Sequence, residues 1–151
     1  MKKYDLKNES YITLENEAKV SGRNIYMLTV PNKNVVYVTY CHVSGMINNG
    51  VVNIINSNID SILGNGTIYS RHSNISSVAA SFAWISSSYV RGINKDCRIE
   101  GSLSEFHWSR LDNPESEYED CIFSSCEINA GTFKNCVFAD GCKISENAVI
   151  E

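Results

Sequence analysis

Proline is nearly missing from this chain, with only Pro31 and Pro114 in 151 residues. Missing too are the long Leu/Ala/Glu/Lys stretches that build helices. No window carries a convincing apolar spacing at i, i+3, i+4 and i+7, so amphipathic helices are not expected. No run of 18 apolar residues exists, which excludes an ordinary membrane-spanning helix, and no membrane partner is expected. The opening "MKKYDLKNES" has lysines without an apolar stretch behind them, so it does not read as a signal peptide. Clustered Lys and Arg are absent and the formal charge is −4, which argues against a nucleic-acid groove. There is no C-x-x-C pair of the kind a metal site prefers. Gly64-x-Gly66 does not continue into a phosphate-binding loop with a following helix. Neither metal nor cofactor is expected.

What is present is the composition of a globular domain, with 43% hydrophobic and 20% charged residues, enough to bury a core. Beta-branched and aromatic residues, separated by Asn, Gly and Ser, point to strands and tight turns. The expected class is all-β. Residues 11–43 hold the longest strand signals: "YITLE", "NIYMLTV" and "VVYVTYCHV", the last two flanking "PNKN". That flanked turn reads as a β-hairpin, so residues 1–43 are expected to form an N-terminal hairpin segment serving as attachment or cap. From residue 44 to 151 the strand-like pieces shorten. Gly45, Gly50, Asn56, Asn58, Gly64 and Gly66 punctuate them, the texture of a solenoid turning a corner every few residues.

Two periods run through that texture. A period of six appears as Leu14-Ala18-Val20-Asn24-Tyr26, Met46-Gly50-Val52, Ile62-Gly66-Ile68, Ile93-Cys97-Ile99-Leu103 and Phe138-Cys142-Ile144-Ala148-Ile150. A period of five appears as Phe123, Ile128, Phe133 and Phe138, each preceded two residues earlier by Cys121, Cys126, Gly131 or Cys136. The five-residue run resembles the pentapeptide-repeat family, and the six-residue run resembles the hexapeptide repeats of left-handed β-helices. The resemblance implies an irregular β-solenoid and leaves its handedness open.

Five of the six cysteines (Cys97, Cys121, Cys126, Cys136, Cys142) fall on small-residue slots of these patterns, and Cys41 lies on a strand. They read as packing residues in tight corners, with a disulfide framework or a metal site as the lesser alternatives. His72 and His107 sit in expected turns and are the candidates for the catalytic base of a hexapeptide-type acyltransferase. Neither has a companion carboxylate at a motif spacing, so no catalytic residue is assigned and no enzyme is expected.

Residues 104–120 break the repeat and hold six acids against Arg110. They read as a loop insertion, either a solvated acidic loop or a contact loop with Trp108 and Tyr118 as anchors. Phe82 and Trp84 share one strand face, where they either bind a sugar or subunit or fill the core. The C-terminal run through Ile150 is expected to be covered by a neighbouring subunit, because an open solenoid end exposes unpaired backbone. The contact residues are therefore Trp84, Trp108, Tyr118 and Ile150. The texture resembles bacteriophage fibre, spike or decoration proteins. That implies a virion structural subunit, trimeric, made in the host cytoplasm, contacting protein and surface glycan. The alternatives are a pentapeptide-type DNA mimic and the acyltransferase.

Overall fold

The computed structural model describes residues 2–3, 11–14, 16–93 and 96–151. Glu15, the last residue of the expected "YITLE" strand, lies outside them, as do residue 1 and residues 4–10 of the expected N-terminal segment. The described chain has no helix and winds as a parallel β-solenoid of about nine turns. Every strand pairing among the described residues is parallel, between a strand and its counterpart one coil away.

Three walls make up each coil. The first wall stacks ten strands, from Lys2–Lys3 through Val35–Thr39, Phe82–Ser86 and Arg98–Ser102 to Ala148–Ile150. The second runs from Tyr11–Thr13 through Tyr89–Arg91 to Val137–Phe138. The third is marked by the partners Met46, Ile62, Val78 and Ile93, then by Leu111, Ile128 and Ile144.

One full coil separates stacked partners on the first wall, such as Ala18↔Val36, Val52↔Ile68 and Ile68↔Ala83. The residue numbers show that the coil shortens along this series. Divided over three walls, such a coil advances in steps of five or six, and this is the source of both sequence periods. Phe123, Ile128, Phe133 and Phe138 fall on the second, third, first and again second wall, and Phe138 stacks on Phe123. Phe138, Ile144 and Ile150 then walk round the last coil in steps of six. Two expected matches fail: Tyr26 is 58% exposed on an outer face, and Leu103 is 64% exposed at a corner.

Inward residues form vertical rows. Val36, Val52, Ile68, Ala83 and Ile99 are fully buried on the first wall, with Val38, Ile54, Ser70, Ile85 and Gly101 in the row beside them. Toward the C-terminus the interior becomes aromatic. Phe106, Phe123 and Phe138 stack at centroid distances of 5.2 and 5.4 Å, and Tyr118 stacks on Phe133 at 4.7 Å. Gly101 makes room for them: a Cβ there would sit 2.9 Å from the Tyr118 ring and 3.0 Å from that of Phe106.

The corner between the first and second walls turns on one left-handed residue per coil: Gly22, Tyr40, Asn56, His72, Ser87, Leu103, Asp120 and Asn135. A small residue follows each of these from Tyr40 onward. The Oγ of Ser57, Ser73, Ser88 and Ser104 accepts an N–H from the coil before, from Cys41, Ser57, Ser73 and Ser88 respectively, at 3.1 to 3.2 Å. Each hydroxyl also donates to the carbonyl two residues earlier at 2.7 to 2.9 Å. The buried corner backbone is thus satisfied by a hydroxyl ladder.

Three expectations are corrected. "PNKN" does not close a hairpin: the strands it joins, Asn24–Val30 and Val35–Thr39, lie in different walls, each paired in parallel to the neighbouring coils. A short turn between alternating strands serves a hairpin or a solenoid corner equally; only the pairing partner differs. The expected boundary at 43/44 falls within the strand His42–Asn48. Residues 104–120 are not an inserted loop. Glu105–His107, Arg110–Leu111 and Glu117–Glu119 pair in register with their neighbours. The step Gly101↔Tyr118 makes this coil a single position longer than the step Ala83↔Ile99 before it. The acids simply take outward positions, while Phe106, Leu111 and Tyr118 point inward.

Candidate functional site

On the outer face of the first wall, strand alternation sends every second side chain to solvent. In-register stacking then collects one vertical column: Lys19, Tyr37, Asn53, Tyr69, Trp84, Glu100, Glu117 and Thr132. Ala83 and Ile85 are fully buried, so Phe82 and Trp84 on either side of Ala83 face outward. Both are half-buried on the surface. Of the two placements open for this pair, the structure selects the surface one.

Trp84 stands between two grooves. One, of about 350 Å³, is floored by Gly101 and Ser102 and edged by Glu100, Glu117, Glu119, Thr132 and Lys134. The other, of about 220 Å³, is bordered by Asn53, Tyr69 and Arg71. The Arg71 guanidinium lies 5.7 Å from the Trp84 ring, and that of Arg98 lies 5.6 Å from the Phe82 ring. These cation–π contacts set a guanidinium over each ring and hold it in place. At the larger groove, Arg98 pairs with Glu100 at 3.1 Å and Lys134 with Glu119 at 3.5 Å. The result is a shelf with carboxylate acceptors, hydroxyls and one ammonium within a few coils.

Trp108 is 59% exposed at the left-handed corner (φ 45°) that follows the second-wall strand Glu105–His107. Arg91 lies 4.9 Å from its ring and 5.2 Å from that of Tyr89, and Tyr89 stacks on His107 at 4.5 Å. Trp108 and Trp84 therefore belong to different faces. Tyr118, the other expected anchor of that region, is 2% exposed within the aromatic core, so it presents nothing to a partner. Ile150 occupies the inward row of the last strand, stacked on Phe133, and is 51% exposed there.

The histidines are scattered. His42 faces Asp60 at 3.1 Å on the surface, His72 is an exposed corner residue, and His107 lies 3.5 Å from Glu105. His107 thus has a carboxylate beside it that no motif spacing announces. Among the described residues, no group of three or more His, Cys, Asp and Glu is placed to hold a metal.

All six cysteines are free thiols: Cys41, Cys97, Cys121 and Cys126 are buried, and Cys136 and Cys142 partly so. Burial pushes the Cys97 and Cys121 thiols up to about 12 and raises those of Cys41, Cys126 and Cys136. Their Sγ atoms donate to nearby carbonyls: Cys121 to Glu119, Cys126 to Phe106, and Cys41 to Thr39, at 3.2 to 3.3 Å. This is the packing role expected of them. Gly64-x-Gly66 is likewise structural. Gly66 N–H donates to the Asn48 carbonyl at 2.9 Å, and a Cβ on Gly66 would lie 2.5 Å from the Gly50 carbonyl oxygen.

The residues that sequence reading missed are Glu100, Glu117, Tyr69 and Arg71. They lie one or two coils from Trp84 along the chain and join it only through the coil register. Comparison with protein-family models, with curated proteins and with solved structures finds no match.

Proposed function

We propose that the protein is a structural solenoid subunit that presents its first wall to a linear glycan. The observation carrying this reading is the position of Trp84, a half-buried indole braced by Arg71, with a groove on either side along the coil axis. An aromatic shelf takes the apolar face of a pyranose, and flanking carboxylates and hydroxyls accept or donate at its rim. Coils rise about 4.8 Å each, close to the advance of a sugar chain, so a linear glycan can follow the column from Asn53 to Thr132. Carboxylates outnumber the one lysine in the larger groove, which favours neutral or amino sugars over uronic or sialic acids.

The setting proposed for such a subunit is a bacteriophage fibre, spike or decoration protein, trimeric in assembly. Its support is the Asn/Ser/Ile/Tyr-rich texture and drifting repeat, together with the exposed Trp108, Ile144 and Ile150 as subunit-contact candidates. The DNA-mimic alternative has less support. Apart from Glu17, the acids on the first wall gather at Glu100, Glu117 and Glu119, while Tyr37, Asn53, Tyr69 and Trp84 fill the outward column below Glu100.

A glycan array followed by calorimetry tests the reading. Wild type should bind linear neutral or amino glycans, and Trp84→Ala should lose at least tenfold in affinity, about 1.4 kcal/mol, with unchanged melting. Binding confined to acidic glycans, or equal in the variant, would refute the assignment of this face. Native mass measurement tests the trimer separately.

A further inference from the structure

The corner columns change character near the C-terminus. Serine gives way to cysteine, and two pairs of cysteines then stand one coil apart. Cys121 and Cys136 both follow a left-handed residue, Asp120 (φ 53°) and Asn135 (φ 51°), and both precede the partners Ile122↔Val137. Cys126 and Cys142 follow Ser125 (φ 54°) and Gly141 (φ 84°) and precede Glu127↔Lys143. The N–H of Val137 donates to the Cys121 carbonyl, and that of Lys143 to the Cys126 carbonyl, both at 2.9 Å. Each pair is therefore stacked in register. The Cys136 Sγ reaches back across the coil step to the Tyr118 carbonyl at 3.6 Å, and the Cys126 Sγ to that of Phe106 at 3.3 Å.

We propose that Cys121–Cys136 and Cys126–Cys142 are two coil-to-coil thiol pairs that a peroxide converts to disulfides, stapling two adjacent coils together at two corners. The inter-coil spacing of about 4.8 Å falls inside the Cα separation that a disulfide spans. Each disulfide would close a loop of a single coil. The outer member of each pair, Cys136 or Cys142, is partly exposed, and the inner member is buried. Peroxide oxidises the outer thiol to a sulfenic acid and leaves as water. The inner thiol then attacks the sulfenic sulfur, forming the S–S bond and releasing a second water. The neighbouring carbonyls of Glu119 and Lys134, which accept from the Cys121 and Cys136 thiols, would be given up when those side chains rotate to meet. Cys41 and Cys97 are the internal controls. The corner positions on the coils next to Cys41 hold Arg23 and Ser57, neither a thiol, and the backbone after Cys97 is taken up by Ser81 and Ser116 instead.

The test is hydrogen peroxide treatment of the folded full chain, then alkylation after denaturation and peptide mapping. Two of the six thiols, Cys41 and Cys97, should remain alkylatable, with the peptides of Cys121 and Cys136, and of Cys126 and Cys142, cross-linked. Cys136→Ser should abolish the first cross-link and spare the second, and Cys142→Ser the reverse. Six alkylatable thiols after treatment would overturn the proposal. So would Cys136 and Cys142 carried to sulfinic acid with no bond formed, or cross-links only between chains.

Discussion

The coils from Ala18 to Ile99 and those from Phe106 to Phe138 share one backbone path but fill it differently. The first group has rows of Val and Ile and a hydroxyl ladder at Ser57, Ser73, Ser88 and Ser104. The second has two columns of stacked rings, and thiols at the corners. A ring column demands space, and Gly101 supplies it where the two regimes meet. Hydroxyls at the corner fix backbone N–H groups by strong, directional bonds, whereas thiols fill the corner mainly by volume and bond weakly. The fold is thus set by the inward rows and corner conformation, and the choice of filler is local.

The largest effect expected from breaking this comparison is in the aromatic half. Phe123 is fully buried between Phe106 and Phe138, and Phe123→Ala should cost about 3–5 kcal/mol in chemical denaturation. Ile68→Val, in the aliphatic half, should cost only about 0.5–1.5 kcal/mol. Next comes the ladder. Ser73→Ala strands the buried N–H of Ser57 and should cost about 1–3 kcal/mol, whereas Cys121→Ala, removing a weak thiol bond to Glu119, should cost less.

Alkaline pH sharpens the contrast further. Cys97 and Cys121 hold their protons more tightly folded, their pKa raised from 9.0 to about 12 by burial. Their contribution is intact below pH 9.0 and is lost as pH rises toward about 12, because the unfolded chain ionises first. Thermal melting recorded from pH 8 to 12 should fall over that window, and Cys97→Ala/Cys121→Ala should flatten the slope while lowering the plateau. The smallest effect is a gain. Leu103 holds φ 49° while 64% exposed, and Leu103→Asn, better suited to the left-handed region, should add up to about 1 kcal/mol.

Much of the architecture is legible in the sequence because burial imposes periodicity. The five-residue run from Phe123 to Phe138 is one complete coil, read correctly as a solenoid signature. What misleads is local chemistry with two outcomes. "PNKN" makes a turn in either a hairpin or a corner, and "SEFHWSRLDNPESEYEDC" looks like a loop because its acids outnumber its apolar residues. Yet Phe106, Leu111 and Tyr118 keep the inward rhythm. The Trp84 face is half legible. Alternation puts Phe82 and Trp84 together, but their neighbours Tyr69, Glu100 and Glu117 depend on the length of each coil, which varies and which no local pattern fixes.

The central claim is that the Trp84 shelf receives a sugar chain, and tryptophan fluorescence tests it most directly because the chain has only two tryptophans. Trp108→Phe leaves Trp84 as the single reporter. Titration of that variant with a linear neutral or amino oligosaccharide should shift its emission saturably, while Trp84→Phe, reporting from Trp108 on another face, should show no change. A saturable shift seen only from Trp108, or from neither residue while a glycan binds, would contradict the account.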